Sequence, residues 1–237
     1  MLCGVSLRVE PRQIVTVAGT NGSGKSTMGK AIMGLLPRWS GSIAFEGHDL
    51  RRVAAHRRIG LGLFYVPQTA NVFPSLTVLE NLQVVGVKGA GDRIDEVLRR
   101  FPSLDERAAT AAGALSGGER QQLAIARAIV SGARLMIMDE PTANLAPAIV
   151  EQVLDLIHGL PALGVAVLLI EQRAREALAV SDVGYVMHLG EIVAHDIAPA
   201  LLRDARLGEL FFGQGATRAA TTLDSRAAAN SSTSTHG

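Results

Sequence analysis

Residues 19–27 of this 237-residue chain read Gly19-Thr20-Asn21-Gly22-Ser23-Gly24-Lys25-Ser26-Thr27. A glycine, four residues and then Gly-Lys-Ser is the P-loop spacing. Glycines there let backbone N–H groups turn inward around a polyphosphate. A helix starting at Lys25 adds further donors and a favourable dipole. Lys25 is expected to reach the β- and γ-phosphates of a bound nucleotide, and the Ser26 hydroxyl to join a Mg²⁺ shell. A second stretch, Leu135-Met136-Ile137-Met138-Asp139-Glu140, is an apolar run ending in two acids. Buried as a strand, it delivers both carboxylates to the phosphate end of the site. Asp139 is expected to hold Mg²⁺ through water, and Glu140 to polarise an attacking water as general base. A third stretch, Leu115-Ser116-Gly117-Gly118-Glu119, carries a capping box from Ser116 to Glu119. Its two glycines weaken a helix and have no evident structural use, so a phosphate is expected to approach this helix start closely.

These residues need a scaffold that brings distant loops together. Apolar strand-like runs at Ile14–Ala18, Leu61–Val66, Leu135–Met138, Val165–Ile170 and Val183–His188 alternate with helical stretches at Lys25–Leu36, Gly117–Val130, Pro147–Leu160 and Arg173–Val180. The alternation predicts an α/β fold with a mainly parallel central sheet. Val183–His188 and Glu191–His195, hinged at Gly190, predict an antiparallel hairpin. Residues 76–130 are mostly helical and predict a helical subdomain beside the sheet, with a break at Val87–Gly91 and a surface loop over Gly86–Asp92. Arg51, Arg52, Arg57 and Arg58 read as the solvated face of a helix. A single folded domain carrying these motifs is expected over residues 1–212, and the Ala/Ser/Thr-rich residues 213–237 as a disordered tail.

Composition narrows the function classes. The chain is 48% hydrophobic with a formal net charge of +1 and a single cysteine, Cys3. An internal disulfide is therefore excluded, and no basic excess points to a nucleic-acid partner. Val165–Ile170 is the longest uninterrupted apolar run and is strand length. Histidines 48, 56, 158, 188, 195 and 236 show no metal-ligand spacing.

In combination and in this order, the stretches 19–27, 115–122 and 135–142 resemble those of the ATPase subunits of ABC transporters. The resemblance covers about residues 4–213. It implies ATP and Mg²⁺ as ligands and a head-to-tail dimer in which Ser116, Gly117 and Gly118 act in trans on the nucleotide held by the other subunit's P-loop. It implies that Gln68, in Tyr65-Val66-Pro67-Gln68, contacts Mg²⁺ or the attacking water. Gln172 stands where the wider family has a histidine near the γ-phosphate, and Ala146 where it has an aspartate. Glutamine can hydrogen-bond a phosphate oxygen but carries no positive charge. The family's extra first strand and its adenine-stacking aromatic are expected upstream of Met1, which suggests a truncated or misassigned start.

Finer similarity, in Val72–Leu82, Asn144–Pro147 and Leu169–Gln172, is to the ATPases of branched-chain amino-acid importers, whose relatives serve urea or short amides. This implies a sister ATPase subunit, two membrane permeases and, indirectly, an external solute-binding protein, with the chain at the cytoplasmic face of the membrane. Other classes fit less well. A soluble ABC-type ATPase of DNA or ribosomes usually carries two cassettes or a coiled coil, and a small-molecule kinase needs no Ser116–Glu119 segment in trans. A non-catalytic nucleotide sensor would not need Lys25, Asp139 and Glu140 together.

Overall fold

The structure is a computed structural model that describes residues 2–69, 71–85 and 90–207. The expected tail at 213–237 and residues 86–89 lie outside the described residues. Strand β1 (Ile14–Ala18) leads into helix α1 (Lys25–Ile32), and the short pair β2 (Ala44–Phe45) and β3 (His48–Asp49) precedes α2 (Ala55–Arg58) and β4 (Leu63–Val66). Helices α3 (Val78–Gln83), α4 (Ala90–Arg100), α5 (Pro102–Asp105) and α6 (Gly117–Val130) follow. Then come β5 (Leu135–Asp139), α7 (Pro147–Gly159), β6 (Ala166–Glu171), α8 (Ala174–Ala179), β7 (Val183–His188), β8 (Glu191–Ile197) and α9 (Ala198–Arg203).

The main sheet has the order β4-β5-β6-β1-β7-β8. Every pairing is parallel except that of β7 with β8. β1, β5 and β6 are buried along their whole length, which is why they read as near-continuous apolar runs rather than alternating ones. Alternate residues still serve opposite faces. Met136, Met138, Val167 and Leu169 pack with Leu123, Ile125, Val153 and Ile157 on one side. Val15, Val17, Ile137, Leu168 and Ile170 pack with Met28, Met33 and Leu50 on the other. The register sets Ala18 beside Glu171, and Asp139 beside Ile170. The carboxyl ends of β1, β5 and β6 therefore finish together, and the loops leaving them share one crevice, the usual ligand position in such sheets.

Several expectations need correction. α1 ends at Ile32 rather than Leu36, because Gly34 sits at φ 71 in the left-handed region and turns the chain. Ala90, Gly91 and Asp92, expected in a loop, lie within α4, whose Ile94 and Val97 are buried. Arg58 is not solvated: it is 3% exposed. Its guanidinium donates to the carbonyls of Leu50 (2.6 Å), Val53 (3.0 Å) and Ile32. The last carbonyls of a helix lack partners within it, and a five-donor fork is suited to satisfying several at once. Arg58 thus ties the end of α1 to the segment between β3 and α2, which fixes the far end of the helix whose start carries Lys25. Gly34 leaves room for it, since a Cβ there would lie 2.8 Å from the Arg58 Cζ.

Gly117 and Gly118 also have a packing use that the sequence did not show. A Cβ on Gly117 would come within 2.8 Å of Leu145 Cδ2, and one on Gly118 within 2.8 Å of Ile149 Cγ2. The start of α6 therefore presses against the turn that follows Glu140 and the first turn of α7. The expected capping box is present, with the Glu119 N–H donating to Ser116 Oγ and the Ser116 N–H to Glu119 Oε2.

Candidate functional site

The loop from Gly19 to Gly24 is shaped by what surrounds it. A Cβ on Gly19 would lie 2.2 Å from the Met187 carbonyl, so no side chain fits where β1 hands over to the loop. Gly24 adopts φ 106, and no side chain caps α1. The first N–H groups of the helix are thereby left for another acceptor. The Ser23 hydroxyl, 2% exposed, has no hydrogen-bond partner among the described residues. Lys25 is 4% exposed and folds back to donate to the carbonyls of Gly19 (2.8 Å) and Thr20 (3.0 Å). Burial pulls its pKa below the ordinary lysine value, while Glu140, Asp139 and Glu171 pull it back up. An orphaned hydroxyl, an uncapped helix start and a desolvated ammonium are the groups a polyphosphate would satisfy.

The acids arrive from β5. Asp139 is 4% exposed and accepts from both sides. Ser26 Oγ donates to its Oδ1 at 2.8 Å, and the Tyr65 hydroxyl to its Oδ2 at 2.7 Å. Burial and this bond to Asp139 push the Tyr65 phenol well above its usual pKa. Glu140 occupies the left-handed region at φ 47, with its N–H donating to the Ile170 carbonyl at 2.8 Å. Such a conformation is costly for a residue with a side chain and collects at functional positions. It aims the carboxylate at Lys25 Nζ, 4.0 Å away. Gln68, at the end of the β4 loop, donates from Nε2 to Glu140 Oε2 at 2.9 Å. The sequence-selected Gln68, Lys25, Ser26, Asp139 and Glu140 are thus gathered into one hydrogen-bonded and charged group.

A cleft of about 690 Å³ opens over them. It is lined by residues 21–27, Gln68, Glu140, the 142–144 turn and residues 171–173. Gln172 is therefore in the cleft. Ser116, Gly117 and Gly118 are not among its lining residues.

Sequence reasoning missed other participants. Glu171 is buried at 2% exposure and receives the Thr142 N–H (3.0 Å) and hydroxyl (2.7 Å) on Oε1. Burial pushes its pKa above the ordinary carboxylate value. It locks the turn after Glu140 to the end of β6. Arg173 lines the cleft beside Gln172; a cation next to a glutamine was the only signal for it. Asn81 on α3 is fully buried. It accepts from the Phe73 N–H and donates to the carbonyls of Phe73, Leu76 and Thr77, which stiffens the loop beyond Gln68. Phe73 remains 46% exposed, with the Arg127 guanidinium 4.7 Å from its ring centroid.

A phosphate-binding loop between a central parallel strand and a helix, facing two acids at the end of another strand, defines a P-loop nucleoside triphosphatase. Comparison with known proteins narrows the class. The family model described as ABC transporter matches residues 2–143. The high-affinity branched-chain amino acid transport ATP-binding protein BraG of Pseudomonas aeruginosa is 40% identical over 213 residues, covering 88% of this chain and 91% of that protein. The probable branched-chain amino acid transport ATP-binding protein LivF of Archaeoglobus fulgidus is 40% identical over 218 residues, covering 90% and 92%. Among solved structures, the ADP conformation of MJ1267, an ATP-binding cassette of an ABC transporter, superimposes with a TM-score of 0.79 at 29% identity, covering 90% of this chain and 92% of that one. The chain belongs to the ABC transporter family and is an ATP-hydrolysing, ATP-binding subunit of that kind.

Proposed function

We propose that this chain hydrolyses ATP to power uptake of branched-chain amino acids or related small solutes through separate membrane permeases. The observation that carries the catalytic part is Glu140, held at φ 47 beside Lys25 at the mouth of the cleft. The 40% identity to two branched-chain amino-acid transport proteins supports the solute class.

In this reading residues 19–27 wrap the phosphates. Lys25 Nζ exchanges the Gly19 and Thr20 carbonyls for β- and γ-phosphate oxygens. Around Lys25 stand Asp139, Glu140 and Glu171, all of which act on its ammonium. A polyanion binding among that many carboxylates is favoured by a divalent cation, and the oxygen donors here suit Mg²⁺. Ser26, Gln68 and Asp139 would hold it, the last through water. Bound Mg²⁺ supplies charge neutralisation at the β- and γ-phosphates. Glu140 leaves Gln68, accepts a proton from the attacking water and directs its oxygen to the γ-phosphorus, whose bond to the β,γ-bridging oxygen breaks so that ADP leaves with that electron pair. Gln172 hydrogen-bonds the γ-phosphate. Ser116, Gly117 and Gly118 serve the nucleotide of a second, sister ATPase, and their packing on Leu145 and Ile149 ties that remote contact to the turn after Glu140. The loop beyond Gln68, with Phe73 exposed, faces one of two permeases at the cytoplasmic surface of the membrane. A solute-binding protein outside completes the system.

Tagging the chain in its native host, solubilising the membranes and identifying co-purified proteins tests the assignment. Two polytopic permeases and a second ATPase are expected. Recovery from the soluble fraction alone, without permeases, would contradict it.

A further inference from the structure

Tyr65 has no role in the reading above, yet its surroundings are built around its hydroxyl. The ring lies against α1 at Gly29, one turn beyond Lys25. A Cβ on Gly29 would lie 3.2 Å from Tyr65 Cε2 and 3.0 Å from Ile170 Cδ1. Glycine in a helix interior is unfavourable, and here it opens the space that admits the ring. From that slot the hydroxyl reaches Asp139 Oδ2 at 2.7 Å, while Ser26 Oγ donates to Oδ1 at 2.8 Å. β4 and β5 are paired in register, Tyr65 opposite Ile137, so the sheet fixes the position from which the phenol reaches.

We propose that Tyr65 is a positioning residue for the divalent-cation half of the site, and that Gly29 is the absent side chain that lets it act. A carboxylate can swivel about its terminal bond. Bonded on Oδ2 by the phenol, Asp139 must present Oδ1 to Ser26. The Ser26 hydroxyl has one proton and two lone pairs. With its proton committed to Oδ1, its lone pairs point away from Asp139 and remain available to a cation. Removal of the phenol frees the carboxylate to turn and take the Ser26 proton in other directions. The cost falls on cation binding and spares the direct contacts of the P-loop with phosphate.

This inference rests on Asp139 and Ser26 being the residues that hold Mg²⁺, and the test separates the two. Nucleotide affinity of the full chain is measured with a fluorescent ATP analogue in EDTA and in Mg²⁺, and the ratio gives the gain due to metal. Tyr65→Phe keeps the ring and loses only the hydroxyl. Its affinity in EDTA is expected to match wild type, while the metal-dependent gain falls by roughly tenfold, the scale of a lost hydrogen bond to a charged group. Gly29→Ala, which crowds the ring, is expected to reduce the gain in the wild-type background and to add little in the Tyr65→Phe background. An unchanged gain in Tyr65→Phe, or an equal loss in EDTA and Mg²⁺, would overturn the role and leave the tyrosine as packing. A wild-type chain with no metal-dependent gain would overturn the Mg²⁺ assignment itself, and this inference with it.

Discussion

Glu140→Gln is expected to lower the rate of ATP hydrolysis by roughly 10²- to 10⁴-fold, the usual contribution of a positioned general base. The amide has nearly the shape of the carboxylate, so the fold should be intact. It can still meet the Gln68 side chain, which now donates to Glu140 Oε2 at 2.9 Å. What it cannot do is accept a proton from water. ATP binding should survive, because Lys25, Ser26 and the P-loop N–H groups are untouched, and removal of a negative charge 4.0 Å from Lys25 Nζ should if anything favour a polyanion. Phosphate release and nucleotide binding measured on the same preparation check both halves. Hydrolysis within a few-fold of wild type would remove Glu140 from the chemical step and leave its left-handed backbone without a functional reason.

Lys25→Ala is expected to weaken ATP binding by about tenfold to a hundredfold, which corresponds to losing one charge-assisted contact of roughly 1.5–3 kcal/mol. Hydrolysis should fall further, because the γ-phosphate loses a neutralising charge as its leaving bond breaks. The lysine is 4% exposed and already desolvated. It therefore meets the phosphate in a partly dry site, where a charge counts for more than in water. The Gly19 and Thr20 carbonyls, which it now satisfies at 2.8 and 3.0 Å, would lose their donor. A modest stability loss should accompany the binding defect, and calorimetric titration with ATP alongside thermal melting separates the two.

Local chemistry was legible in the sequence where a function is written in contiguous residues. The P-loop, the β5 acids and the Ser116 capping box each sit within a few positions, and the structure places them on the expected strand, turn and helix. Strand positions were readable for the same reason, since β1, β5 and β6 are buried end to end. Contacts that need register were not. Nothing near Gln68 announces its bond to Glu140, 72 residues away, and nothing near Tyr65 announces Asp139, 74 residues away. Both follow from β4 lying beside β5. Arg58 misled because a run of cations normally marks solvent. Its burial is decided by the Ile32 carbonyl at the end of α1 and the Leu50 carbonyl after β3, which a sequence does not display as partners. The same holds for Gly117 and Gly118, whose partners Leu145 and Ile149 come from another stretch of chain. α1 was read too long because Met33, Leu35 and Leu36 continue an apolar pattern past a glycine that turns left-handed.

ATP hydrolysis at the cleft over Lys25 and Glu140 is expected to drive solute uptake. The most direct test is uptake by proteoliposomes containing this chain purified with the proposed permeases and second ATPase, with ATP enclosed on the side of the ATPases and a candidate solute-binding protein outside. Labelled leucine, isoleucine or valine should accumulate only when ATP is present, and accumulation should disappear with Glu140→Gln. ATP hydrolysis that proceeds with no accumulation of these solutes, or accumulation that persists in the Glu140→Gln complex, would contradict the account.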